Sequence, residues 1–472
     1  MPETSPRRRM LILAICCMSL LMVSLDTTIL NVALPAIRGD LGASVSGLQW
    51  TIDAYTVVLA SLLMLAGSTA DRIGRRRVFQ YGLVVFTVAS VLCSLAPDLR
   101  WLIVFRMLQA VGGTMLNPVA MSIITNTFTE PRERARAIGV WGGVVGISMA
   151  AGPIIGGALV EYANWRAVFW INVPIGVAAL VLTALFVPES RAPKARRMDP
   201  VGQLLVMALL GSLTYAIIEA PAAGWTSPLI LACVAVTVVA LAGLLTYERR
   251  RREPLIELRF FRSAPFSGAT VIAVSAFAAL GGFLFLNTLY LQDDRGMSAL
   301  DAGLHLLPMA AMALVCAPLS GRLVGTRGPR LSLVLAGATM TASGLLFTAM
   351  DAASSDALLY TAYVLFGIGF GFVNAPVTNT AVSGMPRTQA GVAAAVASTS
   401  RQIGQSLGVA VMGALIAAGL HTTAWGVIAG CGAVVLLVGL LTTGRWAAGT
   451  AERTASLLAA PAAPKRVVTT TP

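Results

Sequence analysis

Three ionisable side chains interrupt otherwise apolar stretches of this sequence: Asp26, Asp53 and Arg106. Ionisable groups inside an apolar helix are expensive to keep there, so each is a functional hypothesis by default. At 1.5 Å per residue, Asp26 lies about 12 Å from the outer end of its run, and Asp53 and Arg106 roughly 8–9 Å from the ends of theirs. Two carboxylates and a guanidinium at similar depth are expected to form one cluster, because pairing is the natural way to bury them. A carboxylate in such a low-dielectric site has its proton affinity set by burial and by the arginine. The chemistry on offer is the binding and release of a proton or another cation, with Asp26 the leading candidate. The same residues also fit an ion pair that merely ties helices together, and Asp53 fits a place at the membrane interface.

Around this triad lie three further patterns. Arg106, Gln109, Gly113 and Asn117 are spaced 3, 4 and 4 apart and share one helical face. This polar, small-residue stripe is what a cavity lining needs, and Asn31, Asn374 and Thr378 are assigned to the same lining. Gly146, Gly152, Pro153, Gly156 and Gly157 crowd another apolar run, where Gly152 and Gly156 permit close helix packing and Pro153 bends the helix. Packing alone and a pivot between two conformations both fit. In the segment Gly67–Arg77 an acid, Asp71, stands among Arg72, Arg75, Arg76 and Arg77, while Gly67 and Gly74 allow close approach and a tight turn. Basic residues alone would be topogenic; an acid among them suggests a breakable latch.

The elements that must carry these residues follow from composition. Of 472 residues 57% are hydrophobic and 12% charged, about half the charge of an ordinary soluble domain. A single water-soluble core of this size would need more polar surface. Six cysteines, all in apolar runs, do not make a disulfide scaffold. A polytopic membrane protein remains. A bilayer core takes roughly 20 apolar residues per helix, and fourteen runs qualify: 11–34, 48–68, 78–96, 100–126, 137–160, 167–187, 201–220, 228–247, 265–291, 299–320, 331–350, 357–383, 391–419 and 424–444. With the N-terminus in the cytoplasm, 28 of the 34 basic residues fall on that side and four on the other. This bias predicts that both termini are cytoplasmic. Trp50, Trp101, Trp165, Trp225 and Trp425 fall at outer ends, where an aromatic belt is expected. The expected organisation is a cytoplasmic tail (1–10), a six-helix bundle (11–187), two extra spans with a basic linker (188–263), a second six-helix bundle (264–445) and a disordered cytoplasmic tail (446–472).

Other classes are excluded by what is missing. Neither Lys194 nor Lys465 follows a glycine, so no phosphate-binding P-loop is encoded. Two histidines far apart in sequence suggest no metal site. No G-x-S-x-G nucleophile elbow is present, and an enzyme is not expected. The net charge of +13 is explained by its placement beside the spans, not by nucleic acid.

These residues resemble the major facilitator superfamily, specifically its fourteen-span drug:proton antiporter family of the EmrB/QacA type. Leu25-Asp26-Thr27-Thr28 through Pro35 is similar to that family's first-span signature, and Gly67–Arg77 to the superfamily loop motif. Arg106-x-x-Gln109-x-x-Gly112 is similar to its fourth-span motif, and Gly146–Gly157 to its antiporter motif. Trp165-Arg166…Asn172-Val173-Pro174 and Arg401-Gln402-Ile403-Gly404 are also family-like. The resemblance implies that Asp26 is tied to protonation and substrate recognition and that Arg106 modulates its proton exchange. It further implies that Asp71 and Arg72 latch the cytoplasmic side and that Gly152 and Pro153 shape the antiporter helix. The second-half copy of the loop motif carries Gly325 where an acid is expected, so a symmetric latch is not expected there. Arg401 has no partner legible in the sequence. The expectation is an all-α major facilitator fold of fourteen transmembrane helices. It would be a monomeric exporter of amphipathic organic compounds across the cytoplasmic membrane, driven by the proton gradient with no cofactor. A nutrient symporter would share the fold, and a non-transporting receptor would bind without flux.

Overall fold

The computed structural model describes residues 5–191, 199–251, 254–383 and 390–459. Among them the chain is helical with no strand. The first half holds α1 (Pro6–Leu41), α2 (Val45–Ile73), α3 (Arg75–Ser94), α4 (Leu99–Thr114), α5 (Asn117–Thr127), α6 (Pro131–Tyr162), α7 (Ala167–Trp170) and α8 (Asn172–Phe186). Between the halves run α9 (Pro200–Ala223) and α10 (Pro228–Arg250). The second half holds α11 (Ala264–Leu289), α12 (Ala299–His305), α13 (Leu307–Arg327), α14 (Pro329–Thr348), α15 (Asp356–Val382), α16 (Ala390–Ala417) and α17 (His421–Thr442), and α18 (Arg445–Ala459) follows.

Local chemistry sets the ends. Ser44 and Asp98 accept hydrogen bonds from the backbone N–H groups of Gly47 (3.1 Å) and Trp101 (3.0 Å), capping α2 and α4. Prolines open α9 and α10, where a missing N–H costs nothing. Inside the runs, proline does the opposite. Pro118 and Pro174 lack the N–H that a continuous helix needs, and the fourth and sixth expected spans are each split there, into α4 and α5 and into α7 and α8.

Thirteen of the fourteen expected spans are helices long and apolar enough to cross a membrane. The remaining one, 391–419, folds as α16 but does not reach that standard, because Arg401, Gln402 and Gln405 dilute its apolar residues. It packs against α2, α9 and α11. The halves meet along α2 and α16, α6 and α12, and α1 and α11, and α9 touches both halves through α2 and α16.

Two expectations are corrected. The Trp residues do not form one belt: Trp101 and Trp225 are exposed, but Trp165 and Trp425 are buried among packed helices. Packing wins because these rings sit where neighbouring helices converge, Trp425 stacking on Phe347 with centroids 4.3 Å apart. The stretch expected to be disordered from 446 is helical as α18 up to Ala459, with Ala447, Ala451 and Thr454 buried on one face. Thr450 Oγ1 accepts a hydrogen bond from the first N–H of α11 (2.9 Å). The rest of that tail lies outside the described residues.

Candidate functional site

Asp26 sits midway along α1, 3% exposed. Its Oδ2 accepts a hydrogen bond from Arg106 on α4 at 2.6 Å. Its Oδ1 accepts from the amides of Gln109 on α4 (2.8 Å) and Asn172 at the start of α8 (3.0 Å). All three partners are donors and one is a cation, so both oxygens of the carboxyl group are engaged, one of them in a charge-assisted bond. Arg106 is itself 1% exposed. Its Nε donates to the carbonyl of Thr51 on α2 (3.2 Å), and Nη1 also donates to Gln109 Oε1 (2.6 Å). The guanidinium lies 4.3 Å above the ring of Tyr55, a cation–π contact strengthened by burial. Ser90 on α3 completes the network, accepting from Gln109 (2.9 Å) and Asn172 (3.4 Å).

Five helices therefore converge on one carboxylate, and the sequence explains how. A Cβ on Gly112 would come within 2.5 Å of the Phe86 backbone nitrogen; its absence lets α4 approach α3 closely enough for Gln109 to reach Ser90. The break before α8 turns Asn172 into the bundle. In the sequence Asn172 stands only within a family-like segment; the signal that exposes its role is a lone amide at a proline-induced helix break in an apolar run.

The expected single cluster is corrected at Asp53. This carboxyl group is wholly buried but does not join Asp26 and Arg106. Thr51, whose carbonyl faces Arg106, is two residues away, about 200° around the helix. Asp53 instead faces α16: Ser406 stands beside it and Thr56 Oγ1 donates to Oδ1 at 3.1 Å.

The stripe on α4 is likewise a contact face in this conformation. Gln109 is buried in the Asp26 network, and Gly113 is buried with Tyr55 Oη and Leu59 where a Cβ would stand (3.0 and 3.2 Å). Asn117 falls beyond the break, on α5, half-buried. Asn31 is buried on α1 and donates to the Thr27 carbonyl at 2.9 Å. Asn374 is half-buried and Thr378 exposed on α15, and Thr378 accepts a hydrogen bond from Arg401 of α16. Arg401, without a legible partner in sequence, also lies 5.8 Å from the Phe277 ring centroid.

A profile described as Major Facilitator Superfamily matches residues 16–409. The chain belongs to that superfamily. It is 41% identical over 400 residues to the "Tetracenomycin C resistance and export protein" of Streptomyces glaucescens, covering 84% of this chain and 74% of that one. It is 36% identical over 417 residues to the "Multidrug resistance protein Stp" of Mycobacterium tuberculosis (88% and 78% covered), and 34% identical over 431 residues to the "Methylenomycin A resistance protein" of Bacillus subtilis (91% of each). Among solved structures, a POT family transporter in complex with 5-aminolevulinic acid superposes with a TM-score of 0.71 at 17% identity, covering 94% of this chain and 98% of that one. That likeness concerns the fold.

The superfamily loop joins α2 to α3. Gly74 has φ +126° and packs against the carboxyl group of Glu189, so the turn requires glycine. Gly67 lies within α2 with open space where its Cβ would be, and the close approach expected there is absent. Asp71 pairs with Arg75 one turn away (2.9 Å). Arg72 is exposed. Glu189, not foreseen, receives the backbone N–H of Arg76 (3.2 Å) and lies 3.7 Å from Arg77 Nε.

The glycine-rich α6 is a packing surface on both sides. A Cβ on Gly152 would strike Thr28 of α1, one on Gly156 would crowd Ile29 at 3.1 Å, and one on Gly157 would strike the Ala299 backbone across the two halves. The carbonyl of Pro153 lies where a Cβ on Gly303 would stand, while Gly146 meets only the Leu314 side chain. Hydrogen bonds joining the halves run from Arg38 to Asp293 (3.1 Å), Gln292 to the Val32 carbonyl (3.0 Å), the Leu300 N–H to Glu161 (3.2 Å) and Gln49 to the Val409 and Ala410 carbonyls (3.2 and 2.8 Å). These residues lie toward one end of the bundle, opposite the loop at Gly74.

Proposed function

We propose that this chain is a proton-coupled antiporter that exports amphipathic organic compounds, cationic or neutral, by alternating access. The observation that carries the reading is the buried Asp26–Arg106 pair. Each donor to that carboxylate comes from a different helix than its own, so adding a proton weakens the joint between α1, α4 and α8. A substrate that disturbs the same joint competes with the proton, and competition at one site is the minimum requirement for exchange. The substrate class comes from the relatives, whose names specify resistance to tetracenomycin C, methylenomycin A and multiple drugs. We place the chain with the fourteen-span drug:proton group, α16 serving as the fourteenth span, as a monomer needing no cofactor.

The bias of basic residues orients both termini into the cytoplasm and makes the membrane the cytoplasmic one. The end held by Arg38–Asp293 is then external, and the conformation described is closed toward the outside. One proton moving inward down about 100 mV releases roughly 2.3 kcal/mol, and a pH unit adds about 1.4 kcal/mol. Together these sustain a gradient of several hundredfold, enough for protection from a toxin.

Everted membrane vesicles loaded by a panel of cationic dyes test the reading. Uptake into vesicles acidified inside, lost with a protonophore and in Asp26→Asn, is the expected result. Uptake that survives both treatments rejects proton drive through Asp26. Accumulation by intact energised cells instead of efflux would favour a nutrient symporter.

A further inference from the structure

One charge in the spans of the second half has no counter-charge. Arg401 is the twelfth residue of α16, about 16 Å along the helix at 1.5 Å per residue. A cation at such depth is costly; it faces a bundle interior or a watery cavity and needs a partner there. Arg401 is half-buried. Its Nη2 donates to Thr378 Oγ1 on α15, and its guanidinium carbon lies 5.8 Å from the ring centroid of Phe277 on α11. Its Nε is buried without a hydrogen-bond partner. No ion pair includes Arg401 among the described residues.

The acids on the helices packed against α16 are engaged or turned elsewhere. Across α11 and α13 to α17 the only acidic residue is Asp356, at the end of α15 remote from Thr378, where it pairs with Arg295 (2.8 Å). On α2, Asp71 pairs with Arg75 (2.9 Å). Asp53 of the same helix stands beside Ser406, which lies five residues beyond Arg401 and about 140° around α16. On α9, Glu219 accepts from Trp50 Nε1 (2.7 Å), and Asp199, just before the helix, pairs with Arg251 (3.4 Å). Arg106, the buried arginine of the first half, is the opposite case, with Asp26 against it.

Thr378 is exposed and stands one turn before the end of α15 at Val382, so the guanidinium borders an opening toward that end. In the orientation proposed above this end is cytoplasmic, the side from which an exporter takes its cargo. Phe277 is half-buried, set edge-on to Phe370 with centroids 5.3 Å apart. Spare N–H groups in a planar fork recognise a carboxylate or another anionic oxygen, and rings beside them accept an aromatic body. We propose that Arg401 is a substrate-binding residue that admits aromatic organic acids, taking the ionised oxygens on its free N–H groups while Phe277 packs against the ring. The inference rests on the export reading above and extends it, since the compounds named there are cationic or neutral. The acid supplies the counter-charge that the helices lack.

Equilibrium dialysis of the purified full-length protein against anthracene-9-carboxylate and against its methyl ester reads this site with no gradient present. The parent should bind the acid about tenfold or more tighter than the ester, the worth of a charge-assisted hydrogen bond. Arg401→Gln should abolish that preference by weakening the acid and leaving the ester where it was. A parent that binds the two alike, or binds neither, overturns the proposal. Equal weakening of both probes in Arg401→Gln also overturns it, because Arg401 is then a strut between α15 and α16. If Arg401→Gln does not fold, Arg401→Lys, which keeps the charge without the fork, must weaken the acid more than the ester; equal weakening or none is equally fatal. Loss of dye transport in Asp26→Asn bears on proton coupling alone, so the two readings can fail separately.

Discussion

Arg106 is the eighth residue of α4, and Tyr363 is the eighth of α15. Each reaches across to the first helix of its half, but what it meets there differs. In the first half a guanidinium meets a carboxylate, ringed by amides and a serine. In the second, Tyr363 Oη donates to Asn287 Oδ1 on α11 at 2.5 Å, inside a nest of rings in which Phe283 stacks on Phe366 with centroids 4.2 Å apart. Both joints are buried and both are hydrogen-bonded, yet only one is an ion pair. The first half is joined by charge at this place, and the second by a neutral hydrogen bond among packed rings.

Breaking the charged joint should have the largest effect. Arg106→Ala leaves Asp26 buried without its cation, and removing one partner of a buried pair costs about 3–5 kcal/mol. Thermal unfolding of the purified protein should show that loss, and adding Asp26→Asn should restore most of the stability while export stays abolished. A variant as stable as the parent would mean that the pair is solvated and that the contrast between halves is not one of charge.

The close approach beneath each joint supplies a second test. Gly112→Ala would press a Cβ against the Phe86 backbone at 2.5 Å, whereas Gly369→Ala at the matching place first meets the Met340 side chain at 2.4 Å, which can turn, with the Ala336 carbonyl next at 2.8 Å. Overpacking typically costs about 1–3 kcal/mol. Gly112→Ala is expected near the upper end, with weakened export because Gln109 is drawn away from Ser90, and Gly369→Ala near the lower end.

The neutral joint should be cheaper to break. Tyr363→Phe removes one hydrogen bond and leaves the Asn287 carbonyl oxygen unsatisfied, a loss of about 1–2 kcal/mol, and the pH profile of dye export should stay where it is. A shifted profile would show that the second half also carries a proton.

The sequence reveals these features unequally, for physical reasons. Long apolar runs and basic loops make the spans legible, motifs such as Leu25–Pro35 and Gly146–Gly157 carry the resemblance to the superfamily, and depth along a helix is enough to bring Asp26 to Arg106. Depth says nothing about azimuth, so Asp53, at a fitting depth but on the other side of α2, is grouped by depth with the wrong partners. Glu189 and Thr378 are harder still, because their partnerships with the Arg76–Arg77 turn and with Arg401 depend on which helices become neighbours. Glu219, within hydrogen-bond reach of Trp50, escapes notice because it stands at the end of its run, where a carboxylate reads as solvated.

Asn172 gives the finest test of the comparison. It supplies one of three donors to Asp26, from a helix that starts only because Pro174 interrupts the span. Asn172→Ala removes one donor from the carboxylate and loosens the joint of α8 to α1, so it should change the pH dependence of dye export, by less than Arg106→Ala does because Arg106 and Gln109 still hold Asp26. Among the described residues of the second half, Asn287 is the buried side-chain amide, and it faces a tyrosine instead of an acid. Asn287→Ala should cost comparable stability without moving the profile. Equal shifts in both variants would mean that the profile reports the looseness of the bundle and not the proton on Asp26, and the chemical asymmetry of the halves would then lack a functional counterpart.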